Sequence, residues 1–169
     1  MSAPPPPAIA LRPATPEDEP FLLRVYASTR EQELAQVPFT PEQKAAFVAQ
    51  QFQAQSVHYA RHYGDASFDV VEVDGVPAGR LIVARWEGEL RIVDIALLAE
   101  FRGRGIGTRL LEPLLAEADA GGLRVSIHVE RVNPAQRLYA RLGFAPAPDG
   151  DEGVYQRWDR PPGGAAPSA

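Results

Sequence analysis

The apolar positions in the first part of the chain recur with helical spacing. After a short apolar strand candidate at Ala8–Leu11, the run Thr15–Asp18 supplies a capping hydroxyl, a proline and acidic residues, which are the signs of a helix start. Apolar residues three and four apart then predict a helix to about Ser28. The start signal is repeated at Thr40–Gln43, and the second helix is predicted to reach Tyr63.

The middle of the chain changes to the period of strands. Phe68–Val73 and Pro77–Trp86 flank Asp74-Gly75, which predicts a hairpin, and Leu90–Leu98 is predicted to be the next strand. The remaining elements are predicted to be a helix (Gly105–Ala120), a strand (Leu123–Glu130), a helix (Pro134–Leu142) and a strand pair (Phe144 and Val154–Trp158). This order predicts an α/β fold with a mixed, mostly antiparallel central sheet flanked by helices.

The length and the two ends of the chain indicate one domain with tails. The 169 residues suit a single core. The proline-rich residues 1–7 and the Pro/Gly/Ala-rich residues 160–169 bury too little apolar surface to order themselves. We therefore expect one domain at 8–159 between two disordered tails.

Composition narrows the function classes. Apolar residues make up 45% of the chain and charged residues 23%, as in soluble globular proteins, and there is no cysteine for a disulfide or a thiolate metal site. No apolar run is long enough to span a membrane and no signal-peptide pattern is present, so we expect a cytoplasmic location and no membrane partner. A net charge of −5 argues against nucleic acid as a partner.

A glycine-rich loop joins the predicted strand to the following helix. Its glycines let the backbone approach an anion closely, and the first amides of the helix attract negative charge. A Walker loop would need lysine at the helix start, and the dinucleotide fingerprint would need glycine where Thr108 stands. The predicted ligand is a diphosphate of another kind. It would be held by the glycines and arginines of the loop and the helix start, which are Arg102, Gly103, Arg104, Gly105, Gly107 and Arg109.

Two motifs in the chain resemble those of one known superfamily. Arg102–Gly107 matches the R/Q-x-x-G-x-G/A motif of the GNAT N-acetyltransferase superfamily, and Asn133–Tyr139 with Leu142–Phe144 is similar to its second motif. The opening Leu11–Asp18 also resembles the first strand and helix of that superfamily. The resemblance implies a sheet splayed between its fourth and fifth strands and acetyl-CoA as co-substrate without a metal. It also implies a primary amine as acceptor, on a small molecule or a protein; homodimers are common in the superfamily.

The resemblance also implies which residues bind the co-substrate. Backbone groups of the strand end would bind the pantetheine arm, and the loop with the first helical turn would bind the pyrophosphate. Asn133 would contact the cofactor arm and Tyr139 would lie beside the sulfur, although their spacing is one residue shorter than the commonest spacing in the family. The implied set is Ile95, Ala96, Leu97, Arg102, Gly103, Arg104, Gly105, Ile106, Gly107, Thr108 and Asn133.

Acetyl transfer needs a proton donor for the sulfur and a base for the amine. Tyr139 is the predicted general acid. His128 is the first candidate base, because it titrates near neutrality and lies on a polar strand face with Ser126 and Glu130, a face expected to border a wet cleft. Asp94, the only acidic residue in its largely apolar strand, is the second candidate. Glu89 and Glu130 are expected to be solvated.

The predicted second helix carries His58-Tyr59 and His62-Tyr63 four residues apart on one face. Three interpretations stay open: a metal pair lacking a convincing third ligand, a packed and partly exposed helix face, or a wall that recognises the acceptor through Gln51, Gln55, His58 and Tyr59. For the whole chain, the leading hypothesis is acetyl transfer to an amine by direct attack in a ternary complex. The alternative is a non-catalytic CoA-binding sensor or interaction module of the same fold.

Overall fold

The computed structural model describes residues 3–131, 133–152 and 155–164. Eleven helices and strands alternate along this part of the chain, with short 3₁₀ turns at Pro16–Asp18, Ala99–Phe101 and Pro162–Gly164. They are β1 (Ile9–Pro13), α1 (Glu19–Leu34), α2 (Pro41–His62), β2 (Ser67–Val73), β3 (Val76–Trp86), β4 (Glu89–Leu97), α3 (Ile106–Ala120), β5 (Arg124–Glu130), α4 (Gln136–Arg141), β6 (Ala145–Glu152) and β7 (Tyr155–Arg160). None of the described helices is long and apolar enough to cross a membrane.

The strands form one sheet in the order β1-β2-β3-β4-β5-β7-β6. The pair β4–β5 is parallel, with a register from Glu89–Arg124 to Ile92–Ile127, whereas β1–β2, β5–β7 and β6–β7 are antiparallel. Beyond the last of these paired residues, β4 continues to Leu97 and β5 to Glu130. The predicted α/β class with a mixed, mostly antiparallel sheet is confirmed.

The chain divides into two compact units, and each is described by itself. The first comprises Met1–Ile82 and Ile95–Gly103, and the second comprises Val83–Asp94 and Arg104–Ala169. Both β3 and β4 therefore contribute residues to each unit. The expectation of a single domain at 8–159 stays a prediction.

In the first unit, α1 and α2 pack through an apolar cluster of Tyr26, Leu34, Val48 and Phe52, with the rings of Tyr26 and Phe52 5.9 Å apart. The predicted start of α2 is confirmed by a reciprocal cap, in which Gln43 N donates to Thr40 Oγ1 at 3.1 Å and Thr40 N to Gln43 Oε1 at 2.9 Å.

The end of α1 lies later than the sequence predicts. The helix continues past Ser28 to Leu34, because Leu34 completes the apolar cluster with α2. The hydroxyls of Ser28 and Thr29 donate to backbone carbonyls one turn earlier, at 2.7 and 2.6 Å, so these polar side chains are satisfied within the helix.

In the second unit, α3 contacts β5 through its predicted inner face. Its four leucines and the alternating apolar residues of β5 are all buried: Leu110, Leu111, Leu114, Leu115, Val125, Ile127 and Val129. Burial of apolar surface stabilises a fold by about 25 cal/mol per Å², so this layer contributes to the stability of the second unit.

The predicted start of the C-terminal tail is wrong. Arg160 ends β7 and is only 7% exposed, and its guanidinium binds both carboxylate oxygens of Asp119, at 2.8 and 3.2 Å. Its Nε also donates to the Leu142 carbonyl at 2.9 Å, and Gly163 N donates to Asp119. A buried guanidinium needs such partners, so the chain stays folded to at least Gly164. Residues 165–169 and Val154 of the predicted last strand lie outside the described residues.

Candidate active site

The loop before α3 has the backbone conformation that only glycine adopts easily. Gly103 and Gly105 have φ values of +73° and +76°, and Gly105 is the N-cap of α3. A Cβ built on either would meet no described atom within 4 Å, so the space beside this backbone is open. The buried Ile106 side chain anchors the first turn from below.

The start of α3 points unpaired amides out of the helix. The first i→i−4 bond runs from Arg109 N to Gly105 O at 3.2 Å, so the amides of Ile106, Gly107 and Thr108 have no acceptor within the helix. Their partial positive charges and the helix dipole favour an anion. An open loop, such amides and nearby arginines fit the phosphates of acetyl-CoA.

The first turn of α3 lies against α4. A Cβ on Gly107 would come 3.4 Å from Leu138 Cδ2, so only a very small residue fits without pushing on α4. Tyr139 follows Leu138 directly and is 6% exposed. Its ring and the Phe144 ring are arranged edge to face, with their centroids 6.0 Å apart. The sequence thus brings the predicted proton donor onto the helix that contacts the glycine-rich turn.

The charge of Asp94 acts on Tyr139. Burial raises the pKa of Tyr139 to about 12, and the negative charge of Asp94 contributes to the same rise. The phenol is therefore fully protonated at neutral pH and is a hydrogen-bond donor. Two residues that were selected from the sequence separately are close enough to interact.

His128, the other candidate base, also lies in the second unit. It is half-buried on β5, and its partner in the β5–β7 register is Arg157. Asn133 lies between β5 and α4, where its N–H donates to the Glu130 carbonyl at 2.9 Å and its Oδ1 accepts from Ala135 N at 2.8 Å. These bonds hold the turn that positions α4.

The residues predicted to bind the pantetheine arm lie at the end of β4, in the first unit. Ile95, Ala96 and Leu97 are half-buried there. Arg102 Nε donates to the Leu97 carbonyl at 2.8 Å and its Nη2 to Ser28 Oγ at 3.2 Å, so this arginine clasps the strand end to α1. Its predicted contact with a phosphate stays a prediction.

The helix face selected from the sequence has a charged companion that the sequence-based analysis missed. Arg80 of β3 is 7% exposed, donates through Nη2 to Gln55 Oε1 at 2.9 Å, and lies over the Tyr59 ring at 5.8 Å. Arg80 is followed directly by the apolar run Leu81–Ala84 of β3, so a charge within a buried segment could have been predicted from the sequence.

The histidines of α2 form a pair without a further ligand. The rings of His58 and His62 are 4.4 Å apart, and His58 is exposed. Within the described ranges, no group of three or more His, Cys, Asp or Glu side chains is arranged to hold a metal ion.

A charged cluster on β4 and β5 was also missed. Glu89 was expected to be solvated, and this is wrong, because it is 8% exposed and accepts hydrogen bonds from Arg124 and, at 2.7 Å, from Ser126 Oγ. Arg91 adds an ion pair at 3.1 Å. Ser126 is completely buried, so its end of the polar strand face is an internal network and not a wet cleft.

Comparison with known proteins also indicates an acetyltransferase. The profile of the family described as "Acetyltransferase (GNAT) family" matches residues 27–144. A mycothiol acetyltransferase from Thermobifida fusca (strain YX) is 37% identical over 91 residues, which are 52% of this chain and 27% of that protein. The chain thus aligns with only about a quarter of the length of that relative.

Two solved structures are similar over nearly their whole length. The PaiA N-acetyltransferase from Thermoplasma acidophilum, solved in complex with coenzyme A, is 18% identical with a TM-score of 0.67, covering 91% of this chain and 99% of that chain. The ribosomal-protein-S18-alanine N-acetyltransferase from Escherichia coli is 17% identical with a TM-score of 0.60, covering 96% and 99%. At these identities the likeness shows the fold.

Proposed function

The chain belongs to the acetyltransferase (GNAT) family, a family of acyl-CoA-dependent transferases, and from this premise we propose that it moves an acetyl group from acetyl-CoA to a primary amine by direct attack in a ternary complex. The observation that carries the proposal is the open glycine loop before α3, with positive φ at Gly103 and Gly105 and clear space beside both. The acceptor is a small molecule or a protein amine.

In the second unit, the amides of Ile106, Gly107 and Thr108 hold the pyrophosphate, and the charges of Arg104 and Arg109 add to the field of the helix dipole. In the first unit, the backbone of β4 from Ile95 to Leu97 contacts the pantetheine arm. When bound, acetyl-CoA supplies the activated acyl group, and the protein supplies position and electrostatic stabilisation.

Tyr139 donates a hydrogen bond to the sulfur as the carbon–sulfur bond breaks. A thiol titrates near pH 8.5, so a phenol with a pKa of about 12 gives up its proton less readily than the departing thiol does. The hydroxyl therefore stabilises the developing thiolate by hydrogen-bond donation and keeps its own proton.

Asp94 is the better supported of the two candidate bases. It acts electrostatically on Tyr139, so it lies near the proposed donor, whereas His128 lies opposite Arg157 on the neighbouring strand. A carboxylate there attracts the ammonium form of the acceptor and accepts its proton directly or through a water.

The alternative function is a CoA-binding module that does not turn over. The observation in its favour is the high pKa of Tyr139, which is far from the value suited to an acid at neutral pH. Measuring the release of free thiol from acetyl-CoA with a broad panel of amines distinguishes the two functions. A binding module binds acetyl-CoA but releases no free thiol with any of the amines.

The test of the co-substrate site uses two glycines with the same backbone. Gly105→Val and Gly88→Val both place a side chain at a φ near +80° in open space, so they carry similar strain. By calorimetric titration we expect Gly105→Val to lose at least about 100-fold in acetyl-CoA affinity, because the side chain occupies the place of the phosphate. Gly88→Val keeps its affinity. Equal losses in the two variants, or none, would contradict the proposed site.

A further inference from the structure

The C-terminal part of α2 carries two imidazoles side by side. His58 and His62 are both exposed, and the centroids of their rings are 4.4 Å apart. The spacing of four residues places the two side chains one above the other on the same face of the helix. Two histidines at this spacing on one helix face can bind the same metal ion. The pair belongs to the first unit.

The nitrogen atoms of the two rings are available to a ligand. In the described part of the chain, the His58 ring contacts the rings of His62, Tyr59 and Tyr63, at centroid separations of 4.4, 6.0 and 6.4 Å. Within the same ranges, neither imidazole forms a hydrogen bond or an ion pair. Since a neutral imidazole has one nitrogen that accepts a metal ion, the pair offers two nitrogen donors.

The separation of the rings indicates which ion they suit. A metal–nitrogen bond of about 2.0–2.1 Å places the centre of an imidazole ring about 3.2 Å from the ion. Two ring centres 4.4 Å apart then subtend an angle of about 90° at a shared ion, whereas tetrahedral coordination would need a separation of about 5.2 Å. An angle near 90° is that of neighbouring ligands in square-planar or tetragonal coordination, which is typical of Cu²⁺ and Ni²⁺ and not of Zn²⁺.

The charges at this end of the helix oppose each other. His62 is the last residue of α2, where the carbonyl end of the helix dipole favours a cation. Arg61 belongs to the same turn, and its positive charge disfavours one. Nitrogen ligation therefore has to supply the affinity, so Mg²⁺, which takes oxygen ligands, is not expected to bind here.

We propose that His58 and His62 form a two-histidine site for Cu²⁺, the ion that such nitrogen donors bind most tightly among the common divalent metals. Since no third His, Cys, Asp or Glu joins the pair within the described ranges, water supplies the remaining ligands. The ion has no part in the proposed acetyl transfer, and the site does not depend on it. Of the three interpretations of this helix face, the metal pair is the one selected.

The test is calorimetric titration of the full chain with CuCl₂ in the absence of acetyl-CoA. The matched control is Ala60→His/His62→Gln, which keeps two imidazoles on α2 but places them two residues apart, where side chains do not face each other. We expect this control, His58→Gln and His62→Gln each to weaken binding at least about tenfold, because the second imidazole no longer binds as an intramolecular ligand. All the changed positions are exposed, so the core is preserved.

The titrations also show whether copper binds at another place. The chain has three histidines and no cysteine, so His128 is the one other imidazole. Affinity that is unchanged in any of the three variants would belong to another site and would overturn the proposal. Absence of Cu²⁺ binding by the parent protein would overturn it as well.

Electron paramagnetic resonance of the one-to-one Cu²⁺ complex identifies the ligands. We expect splitting from two imidazole nitrogens in the parent protein and from one in His62→Gln. In parallel titrations, Zn²⁺ should bind at least about tenfold more weakly than Cu²⁺, and Mg²⁺ should give no binding heat. Identical spectra, equal Zn²⁺ affinity or binding of Mg²⁺ would contradict the assigned site. Because acetyl-CoA is absent, such a failure leaves the acetyl-transfer proposal standing, and a chain that releases no thiol leaves the copper site standing.

Discussion

Two buried acids in the second unit have pKa values that are shifted in opposite directions. Glu89 is 8% exposed and Tyr139 is 6% exposed. For Glu89, burial alone would raise the pKa, but hydrogen bonds from Arg124 and Ser126 and the charge of Arg91 outweigh it, and the pKa lies below its ordinary value. For Tyr139, burial and the negative charge of Asp94 act together, and the pKa rises to about 12.

The difference shows that charged neighbours can outweigh burial, as the arginines do at Glu89, or add to it, as Asp94 does at Tyr139. The acid beside arginines is held ionised within a closed network that joins β4 to β5. The acid beside a carboxylate is held protonated, ready to donate. Desolvation has the same direction in both, so the comparison isolates the effect of charged partners.

The largest effect is expected for Glu89→Ala. Removal of the carboxylate takes away the anion that Arg91 and Arg124 share and the acceptor of the buried Ser126 hydroxyl, which costs about 3 kcal/mol of the free energy of unfolding. Glu117→Ala is the matched control, because its ion pair with Arg85 is about 44% exposed on both sides and is worth about 1 kcal/mol or less. Urea unfolding measures the loss of unfolding free energy in both variants. Equal losses would contradict the expected difference between the buried network and the exposed ion pair.

Tyr139→Phe is expected to do the reverse, with a large effect on turnover and a small one on stability. Loss of the donated hydrogen bond lowers kcat by about 100-fold, while acetyl-CoA affinity stays within about twofold. Tyr155→Phe is the control, since that hydroxyl bonds Glu130 at 3.4 Å on the β5–β7 pair. An unchanged kcat in Tyr139→Phe would end the proposed role of this hydroxyl.

Local signals in the sequence predicted the helix starts and the loop, because these depend on neighbouring residues. The cap at Thr40 and the positive φ of Gly105 are set within a few positions of themselves. Glu89 follows the turn Glu87-Gly88 and therefore looked exposed. Its burial depends on Arg124 and Ser126, which are 35 and 37 residues away along the chain.

Long-range pairing also explains the second error. Arg160 stands before two prolines and two glycines, which is the composition of a tail, yet Asp119, 41 residues earlier, binds it. Arg80 and Asp94 are different, because each is followed directly by an apolar run, Leu81–Ala84 and Ile95–Leu98, and a charge in such a position is visible locally. What such a charge faces is decided by the fold, an oriented guanidinium in a cavity for Arg80 and a buried phenol for Asp94.

A smaller effect is expected from acid. Since the pKa of Glu89 is lower in the folded protein than in the unfolded chain, its contribution to stability is complete above the unfolded pKa of about 4.3 and is lost as pH falls through the folded value. The difference in unfolding free energy between the parent protein and Glu89→Gln should therefore shrink below about pH 4.3. A difference that is constant from neutral to strongly acidic pH would contradict the ionised network.

The smallest effect is expected from Asp94→Asn, and it tests the comparison most directly. Replacing the carboxylate by a neutral amide removes the minor of the two causes that raise the pKa of Tyr139, while burial, the larger cause, is unchanged. The pKa should therefore fall from about 12 but remain above the ordinary value of about 10. Alkaline titration of tyrosinate absorbance, with the Tyr139→Phe protein subtracted, isolates this one hydroxyl.

A pKa that does not move would mean that Asp94 is too well screened to act on Tyr139, and the base would then be sought at His128. A fall to the ordinary value would mean that charge, and not desolvation, keeps the phenol protonated.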